Sequence, residues 1–401
     1  MYEARKDTKT FVKSEFYEGG NFAAEATSIV SERSPQAHAE MRRYLASAFS
    51  DRSLKAQEPL IAAVVDEFIE QIGIKGKDGL DLVLWFNLTT FDIIGSLAFG
   101  QDFGGVKSGT HHFWVSIVVK SLGLGALADC FKRFPWAAKC FLALFPGLLK
   151  KLAHDTRRHE AYTMDLVKKR IANPTGRTDF LTKILESRKE ANIPDIQLAA
   201  HSSDFVIAGS ETTATALSSA TYYLLHHPAA LRRLQDEVRG AFQKYEEISA
   251  ASTASLSYLK AVVLEAMRMY PPLPFSLPRV VPDGGATVDG YFLPEGTIVS
   301  TSPFAACMSS QNFEDPREFR PERWIGKNLI DNLDASQPFS LGTRGCMGRS
   351  LGWIELQTIM AKLHFKYDLT LLNDTMDWQK DSRMYTLWEK PSLMVKVIPR
   401  E

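Results

Sequence analysis

No proline occurs between Pro194 and Pro228, and the interval DIQLAAHSSDFVIAGSETTATALSSATYYLLHH is filled mostly with small and apolar residues. Proline is the residue a helix interior tolerates least. Its absence over this length, with one at each boundary, predicts a single continuous helix. At about 1.5 Å per residue the helix is roughly 50 Å long and crosses a whole domain. The rest of the fold must pack around that rod. A chain of 401 residues, 45% of them hydrophobic and 23% charged, buries a core of the required size.

Helical periodicity also covers most of Pro35 to Ile171, where HAEMRRYLASAF, PLIAAVVDEFIEQI and WFNLTTFDIIGSLAF place apolar residues three and four apart. Two further helices, LRRLQDEVRGAF and SYLKAVVLEAMRM, follow the rod, and Pro271 and Pro272 stop the second. The texture then changes. VVPDGGATVDGYFLPEGTIVSTS alternates β-formers with turn residues, and Asp289-Gly290 signals a hairpin. An irregular stretch from Gln311 to Gly345 leads into a last helix from about Arg349 to Lys366 and a β-like tail. The expected fold class is therefore mainly α with small β-sheets, an α+β arrangement. It is read as one domain over 1–401, helix-rich over 1–272 and β-containing over 273–401.

Charge excludes several roles. Lys and Arg number 47 and so do Asp and Glu, so no net field favours nucleic acid, an acidic membrane surface or a strongly charged substrate. Cys130, Cys140, Cys307 and Cys346 are scattered with no CxxC pair, which argues against a disulfide framework and a zinc site and fits a reducing compartment. The first thirty residues hold no membrane-spanning apolar run and no cleavage signal. The apolar region from Phe113 to Leu149 is broken by Lys120, Asp129, Lys132, Arg133 and Lys139, so it reads as soluble-phase or interfacial.

The chemistry concentrates in FSLGTRGCMG, Phe339 to Gly348. Glycines at 342, 345 and 348 permit a tight bend that brings backbone N–H groups near the Cys346 sulfur, and the helix N-terminus just beyond favours negative charge there. A thiolate is the expected state. Phe339 is placed to shield it, and Arg344 to neutralise an anionic group by charge-assisted hydrogen bonds. A lone cysteine in a glycine-rich loop is more often an inert thiol, and a cysteine nucleophile would need a paired histidine, which nothing local supplies.

The string resembles the haem-binding loop of the cytochrome P450 superfamily at Phe339, Gly342, Arg344, Cys346 and Gly348. The resemblance runs from about His38 to the end of the chain. Within the long helix, AGSETT (Ala208 to Thr213) is similar to that family's oxygen-activation segment. It implies that Thr212 steadies iron-bound oxygen and that Glu211 relays protons. Gly209 and the back-bonding hydroxyls of Ser210 and Thr212 suggest a local kink or widened turn there. Glu265 and Arg268 in LEAMRMYPP, with Arg323 in PERW, resemble the family's structural Glu, Arg, Arg network. His38 and Arg42, four apart in HAEMRR, and Arg279 in LPRV resemble contacts to the haem propionates.

The implied fold is that of a haem-thiolate monooxygenase, with the long helix over haem b (iron protoporphyrin IX). Electrons would come from an NADPH-cytochrome reductase, with cytochrome b5 as a second donor. One atom of O2 would enter an apolar small molecule, and the closing segment is similar to fungal secondary-metabolism members such as trichothecene (isotrichodermin) hydroxylases. DCFKRFPWAAKCFLALFPGLL is expected to form an access region that also touches the membrane. A full-length relative of this type sits on the cytosolic face of the endoplasmic reticulum. By length, roughly a hundred residues, including an anchor and strands of the main sheet, are expected to be absent ahead of the region matched near Tyr2 to Phe22. Strands near Val280 to Val281 and Thr297 to Ser302 would then lose partners and leave open edges and exposed apolar surface. Alternatives that stay open are a haem-thiolate isomerase, dehydratase or peroxide user, and a non-catalytic remnant.

Overall fold

The computed structural model describes residues 1–2, 10–20, 26–101, 103–114, 117, 131, 134–173, 176–327 and 329–400. Cys130 and most of the 118–133 stretch lie outside these residues, as does part of the Tyr2 to Phe22 match. Helices of ten residues or more are α1 (Pro35–Leu45), α2 (Asp51–Lys75), α3 (Leu82–Phe99), α4 (Pro135–Leu144), α5 (Pro146–Ala172), α6 (Phe180–Ala191), α7 (Asp195–His226), α8 (Pro228–Ala241), α9 (Ser257–Met269) and α10 (Arg349–Lys366). The rod is thus α7, with 32 residues between Pro194 and the Pro228 that begins the next helix.

Around α7 the packing follows the apolar faces. α3 runs along it, and α5, α9 and α10 also touch it. α3 is long and apolar enough to cross a bilayer, yet 89% of it is buried inside the protein, so its hydrophobicity serves the core. One contiguous core gathers residues from Ala26 to Val397. The expected widened turn at Gly209 does not form, because residues 195–226 are unbroken α-helix. What glycine supplies there is closeness. A Cβ at Gly209 would lie 3.0 Å from the Ile94 side chain, so the missing side chain lets α3 approach α7.

The strands are β1 (Val12–Lys13), β2 (Leu80–Asp81), β3 (Arg279–Val280), β4 (Ala286–Val288), β5 (Tyr291–Leu293), β6 (Ile298–Val299), β7 (Tyr367–Leu371), β8 (Arg383–Met384), β9 (Trp388–Glu389) and β10 (Met394–Pro399). They form two three-stranded sheets, β1-β3-β6 and β2-β10-β7, and two hairpins, β4-β5 and β8-β9. The β4-β5 turn is Asp289-Gly290, and both residues have positive φ, as a tight primed turn requires. The expectation of partnerless strands is corrected in part: β3 has a neighbour on each side, so among the described residues the edges of this sheet are β1 and β6, and Ile298 of β6 is exposed. Tyr291 and Phe292 of the adjacent hairpin are exposed as well.

Register also sets a charge problem. The β1-β3 pairing places Lys13 directly opposite Arg279, and both side chains are buried. Like charges across a strand pair repel, so this sheet carries a local cost that something else must offset.

Candidate active site

α7 and the cysteine loop face a common cavity of about 330 Å³. From α7 come Ala208, Gly209, Thr212, Thr213 and Ala216, and from the loop and the start of α10 come Phe339, Cys346, Gly348 and Gly352. The loop's shape follows from its sequence. Gly342 takes φ +69 and Ser340 φ +56, the left-handed conformations that turn the chain sharply. The Cys346 N–H then closes the bend by donating to the Phe339 carbonyl at 2.8 Å. Arg42 of α1 ties the loop to the helical body through a 2.8 Å hydrogen bond from its guanidinium to the Gly345 carbonyl. Phe339 packs on α10, within van der Waals reach of Gly352.

Cys346 opens onto the cavity, and the protein around it acts on its thiol. Burial pushes its pKa up, while the Gly348 N–H and the Arg42 and Arg349 charges pull the other way. A cation on the sulfur would act in the same direction as those charges. A coordinated metal deprotonates a thiol outright.

Five basic side chains line the same cavity: Lys13, His38, Arg42, Arg279 and Arg344. All but Lys13 also line a wider neighbouring groove. Among the described residues none of the five is in an ion pair. Lys13 donates to the Ile29 and Val30 carbonyls, Arg344 to those of Glu32, Arg33 and Ser34, and Arg279 to the Tyr17 hydroxyl and the Leu277 and Pro278 carbonyls. Burial and the Arg344 and Arg279 charges push the Lys13 ammonium down to about 7. Burial and the surrounding cations push His38 down to about 3, so it is a neutral hydrogen-bonding ring at neutral pH. Burial and Arg279 pull Arg344 down to about 10. This is a pocket wall short of negative charge.

Those features fit the group that the cysteine loop implies. A planar, largely apolar macrocycle with two carboxylates would meet an apolar cavity, a sulfur facing it and a cluster of basic side chains in no ion pair among the described residues. Cys346 would hold the iron, and Arg42, Arg279, Arg344, His38 and Lys13 the carboxylates.

The Thr212 hydroxyl donates to the Ala208 carbonyl at 2.5 Å, and Thr212 lines the cavity, so its free lone pairs are available to that space. Ser210 back-bonds likewise to Val206 at 2.6 Å. Glu211 is not brought to the cavity; its carboxylate is paired with Lys390 instead. The structure does bring Glu265, Arg268 and Arg323 together. Glu265 takes a two-pronged contact from Arg268 at 2.7 and 2.9 Å and a third bond from Arg323 at 3.2 Å. The Trp324 indole donates to it at 2.9 Å, and Arg323 reaches both oxygens of Asp331 at 3.0 Å.

Three residues that line the cavity, Lys13, Asp204 and Glu355, and Lys390 outside it escaped the sequence reading. Lys13 stands alone in a short strand with no motif around it. Asp204 lines the cavity and accepts from the Val30 N–H at 3.1 Å, and burial pushes its carboxyl up to about 6. Lys390 lies in the tail. Glu355 is an acid on the buried face of α10, pushed up to about 8 by burial, with Oε2 unpartnered. Only Glu355 carried a signal, as a charged residue out of place in the apolar run WIELQTIM.

Comparison with known proteins agrees with the geometry. The cytochrome P450 family model matches residues 3–397. The chain is 55% identical over 379 residues to the cytochrome P450 monooxygenase ORF11 of Penicillium roqueforti, covering 94% of this chain and 79% of that protein. It is 40% identical over 408 residues to the cytochrome P450 monooxygenase BipB of Cochliobolus sativus, covering 99% and 80% respectively. The haem domain of cytochrome P450DA superposes with a TM-score of 0.82 at 17% identity, covering 98% of this chain and 83% of that one.

Proposed function

The chain belongs to the cytochrome P450 family and is a haem-thiolate monooxygenase, and from that premise we propose that it oxidises an apolar small molecule of fungal secondary metabolism, with Cys346 as the haem ligand. The single observation that carries the site assignment is the cavity that Cys346 and Thr212 share, walled by basic side chains that have no ion-pair partner among the described residues. Bound there, haem b would supply oxygen activation and electron acceptance, chemistry that no side chain of this protein performs.

The residues divide the remaining work. Cys346 presents its sulfur from a bend closed by its own N–H bond to the Phe339 carbonyl, with Gly348 beside it, where an added Cβ would stand 4.0 Å from Sγ. Arg42, Arg279, Arg344, His38 and Lys13 fix the cofactor's orientation through its carboxylates. Thr212 offers a hydroxyl acceptor on the α7 wall, and Glu211 is the acid that replenishes protons. Glu265, Arg268 and Arg323 hold the irregular segment before the cysteine loop, so that the loop is presented in one conformation. Ile29, Ile94, Phe205, Leu273, Leu277 and Leu356 make the rest of the wall apolar, which favours an apolar substrate.

Partners follow from the chemistry. Electrons come from an NADPH-cytochrome reductase, with cytochrome b5 as a second donor. The protein works at the cytosolic face of the endoplasmic reticulum, and Phe134, Trp136, Leu144 and Phe145, exposed at and beside α4, would make the membrane contact. The whole chain, 1–401, acts as one catalytic domain. Turnover tests this reading against an isomerase, dehydratase or peroxide user: product formation should require NADPH, reductase and O2 together. Equal turnover without NADPH would overturn it.

A further inference from the structure

Two acids line the cavity, and they stand in different surroundings. Glu355 lies on α10 with the Thr213 hydroxyl bonded to it, and burial pushes its carboxyl up to about 8, so it is neutral at pH 7. Asp204 lies on α7, eight residues before Thr212, and keeps some accessible surface where Glu355 is fully buried. Burial raises its carboxyl to about 6, while the Ser28 hydroxyl, the Val30 N–H and the Lys13 charge hold it down. At neutral pH Asp204 is therefore the carboxylate of the cavity wall. Holding the backbone does not account for that charge. The turn at 28–31 is already held by two other side chains, since His201 accepts the Ile29 N–H at 3.2 Å and Lys13 donates to the Ile29 and Val30 carbonyls. Asp204 adds the Val30 N–H at 3.1 Å, a bond that an asparagine would make without desolvating an anion.

An ionised carboxylate offers about four acceptor positions. The Val30 N–H and the Ser28 hydroxyl use two of them, and an anion short of donors is costly in an apolar wall. The wall nearby is apolar: Val30, Phe205 and the Phe49 ring that packs on Phe205. A further donor must come from what occupies the cavity, and its chemistry is narrow. Lys13, Arg279 and Arg344 line the same space, so a cationic ligand would be repelled by them, and an anionic one by Asp204 itself. What remains is a neutral donor, a hydroxyl on an apolar skeleton. Eight residues of helix set Asp204 roughly 12 Å from Thr212 along α7. We propose that Asp204 is a specificity-determining residue that anchors the hydroxyl of an already oxygenated, otherwise apolar substrate, with the far end of its skeleton toward Thr212. The proposal rests on the monooxygenase reading of the cavity. It selects a substrate whose hydroxyl and reacting carbon lie at opposite ends of a rigid skeleton. It also sets an order of reactions: a step that introduces oxygen, by hydration or by an earlier oxidation, must precede this one.

The test is a spectral titration of the haem-loaded protein at neutral pH with three saturated tetracyclic probes of one skeleton. Androstanol donates a hydrogen bond, androstanone only accepts one, and androstane does neither. Displacement of the Soret band on binding gives a dissociation constant without turnover. The wild type should bind androstanol about ten-fold or more tightly than androstane, the worth of one hydrogen bond to a charged group. Asp204→Ala should bring that ratio toward one and leave the ratio of androstanone to androstane where it was. Asp204→Asn keeps an acceptor for the Val30 N–H, so it carries the test should the alanine variant fail to take up haem, and in it the preference for androstanol should fall several-fold. If Asp204 serves only to pin the turn, its loss changes all three constants by a common factor and leaves the ratios as in the wild type, which overturns the anchor. Equal binding of androstanol and androstane by the wild type overturns it as well and leaves the monooxygenase reading intact. If no probe moves the Soret band of the wild type, the apolar-substrate reading fails, and the anchor with it.

Discussion

Two clusters of buried charge in this protein are built on opposite principles. Around Glu265, each charge meets its counterpart within the protein. The carboxylate accepts from Arg268, Arg323, Trp324 and the Arg320 backbone N–H, while Arg323 turns its other face to Asp331. Around the cavity, Lys13, Arg42, Arg279 and Arg344 crowd beside the neutral His38, their hydrogen-bond partners among the described residues being carbonyls and a phenol, and the β-sheet register sets Lys13 against Arg279. The first cluster is complete and serves the fold. The second has no counter-charge in an ion pair among the described residues, and the proposed function gives that place to the cofactor's carboxylates.

The comparison breaks most visibly at Glu265. Glu265→Ala leaves the buried Arg268 guanidinium without its carboxylate and Arg323 with Asp331 alone, and should cost about 3–5 kcal/mol, read as a fall in the denaturant midpoint of unfolding. The cavity cluster should respond with the opposite sign. Lys13→Met removes a repelled, buried cation, so the haem-free chain should gain stability, on the order of a few kcal/mol from the depressed proton affinity, while haem binding weakens. A loss of stability in the haem-free form would contradict the assignment.

Acidity sharpens the same contrast. The Lys13 pKa lies near 7 in the folded protein against 10.5 for the free side chain. Between those values the unfolded chain binds more protons, so the stability of the haem-free protein should rise as pH climbs through that window. Lys13→Met should flatten the rise, and an unchanged slope would place the repulsion elsewhere. The smallest effect is expected at Gly209→Ala. Better helix propensity, about 1 kcal/mol, is offset by a Cβ 3.0 Å from the Ile94 side chain. Stability should shift by less than about 1 kcal/mol, while the narrowed wall changes which small apolar molecules perturb the haem spectrum.

What the sequence made legible was whatever depends on near neighbours along the chain. The rod between Pro194 and Pro228, the cysteine bend, the Glu265 and Arg268 pair on one helix turn and the Asp289-Gly290 hairpin are all written within a few residues of themselves. Asp331 completes the Arg323 end of the closed cluster, and Lys390 holds Glu211 from a segment far along the chain, so neither pairing leaves a local trace. Lys13 is hidden for the same reason: its significance lies in the strand opposite, at Arg279. The widened turn weighed for Gly209 does not form: residues 195–226 are continuous α-helix, and what the glycine serves is the close approach of Ile94 from α3, a contact distant in sequence.

The claim on which the rest depends is that the Cys346 sulfur binds the haem iron. The reduced carbon-monoxide difference spectrum reads that bond directly, because only thiolate-ligated haem gives the strongly red-shifted Soret band. The wild-type protein should show the band and Cys346→Ala should lose it. A band that survives the substitution, or a wild-type spectrum typical of a nitrogen ligand, would contradict the account.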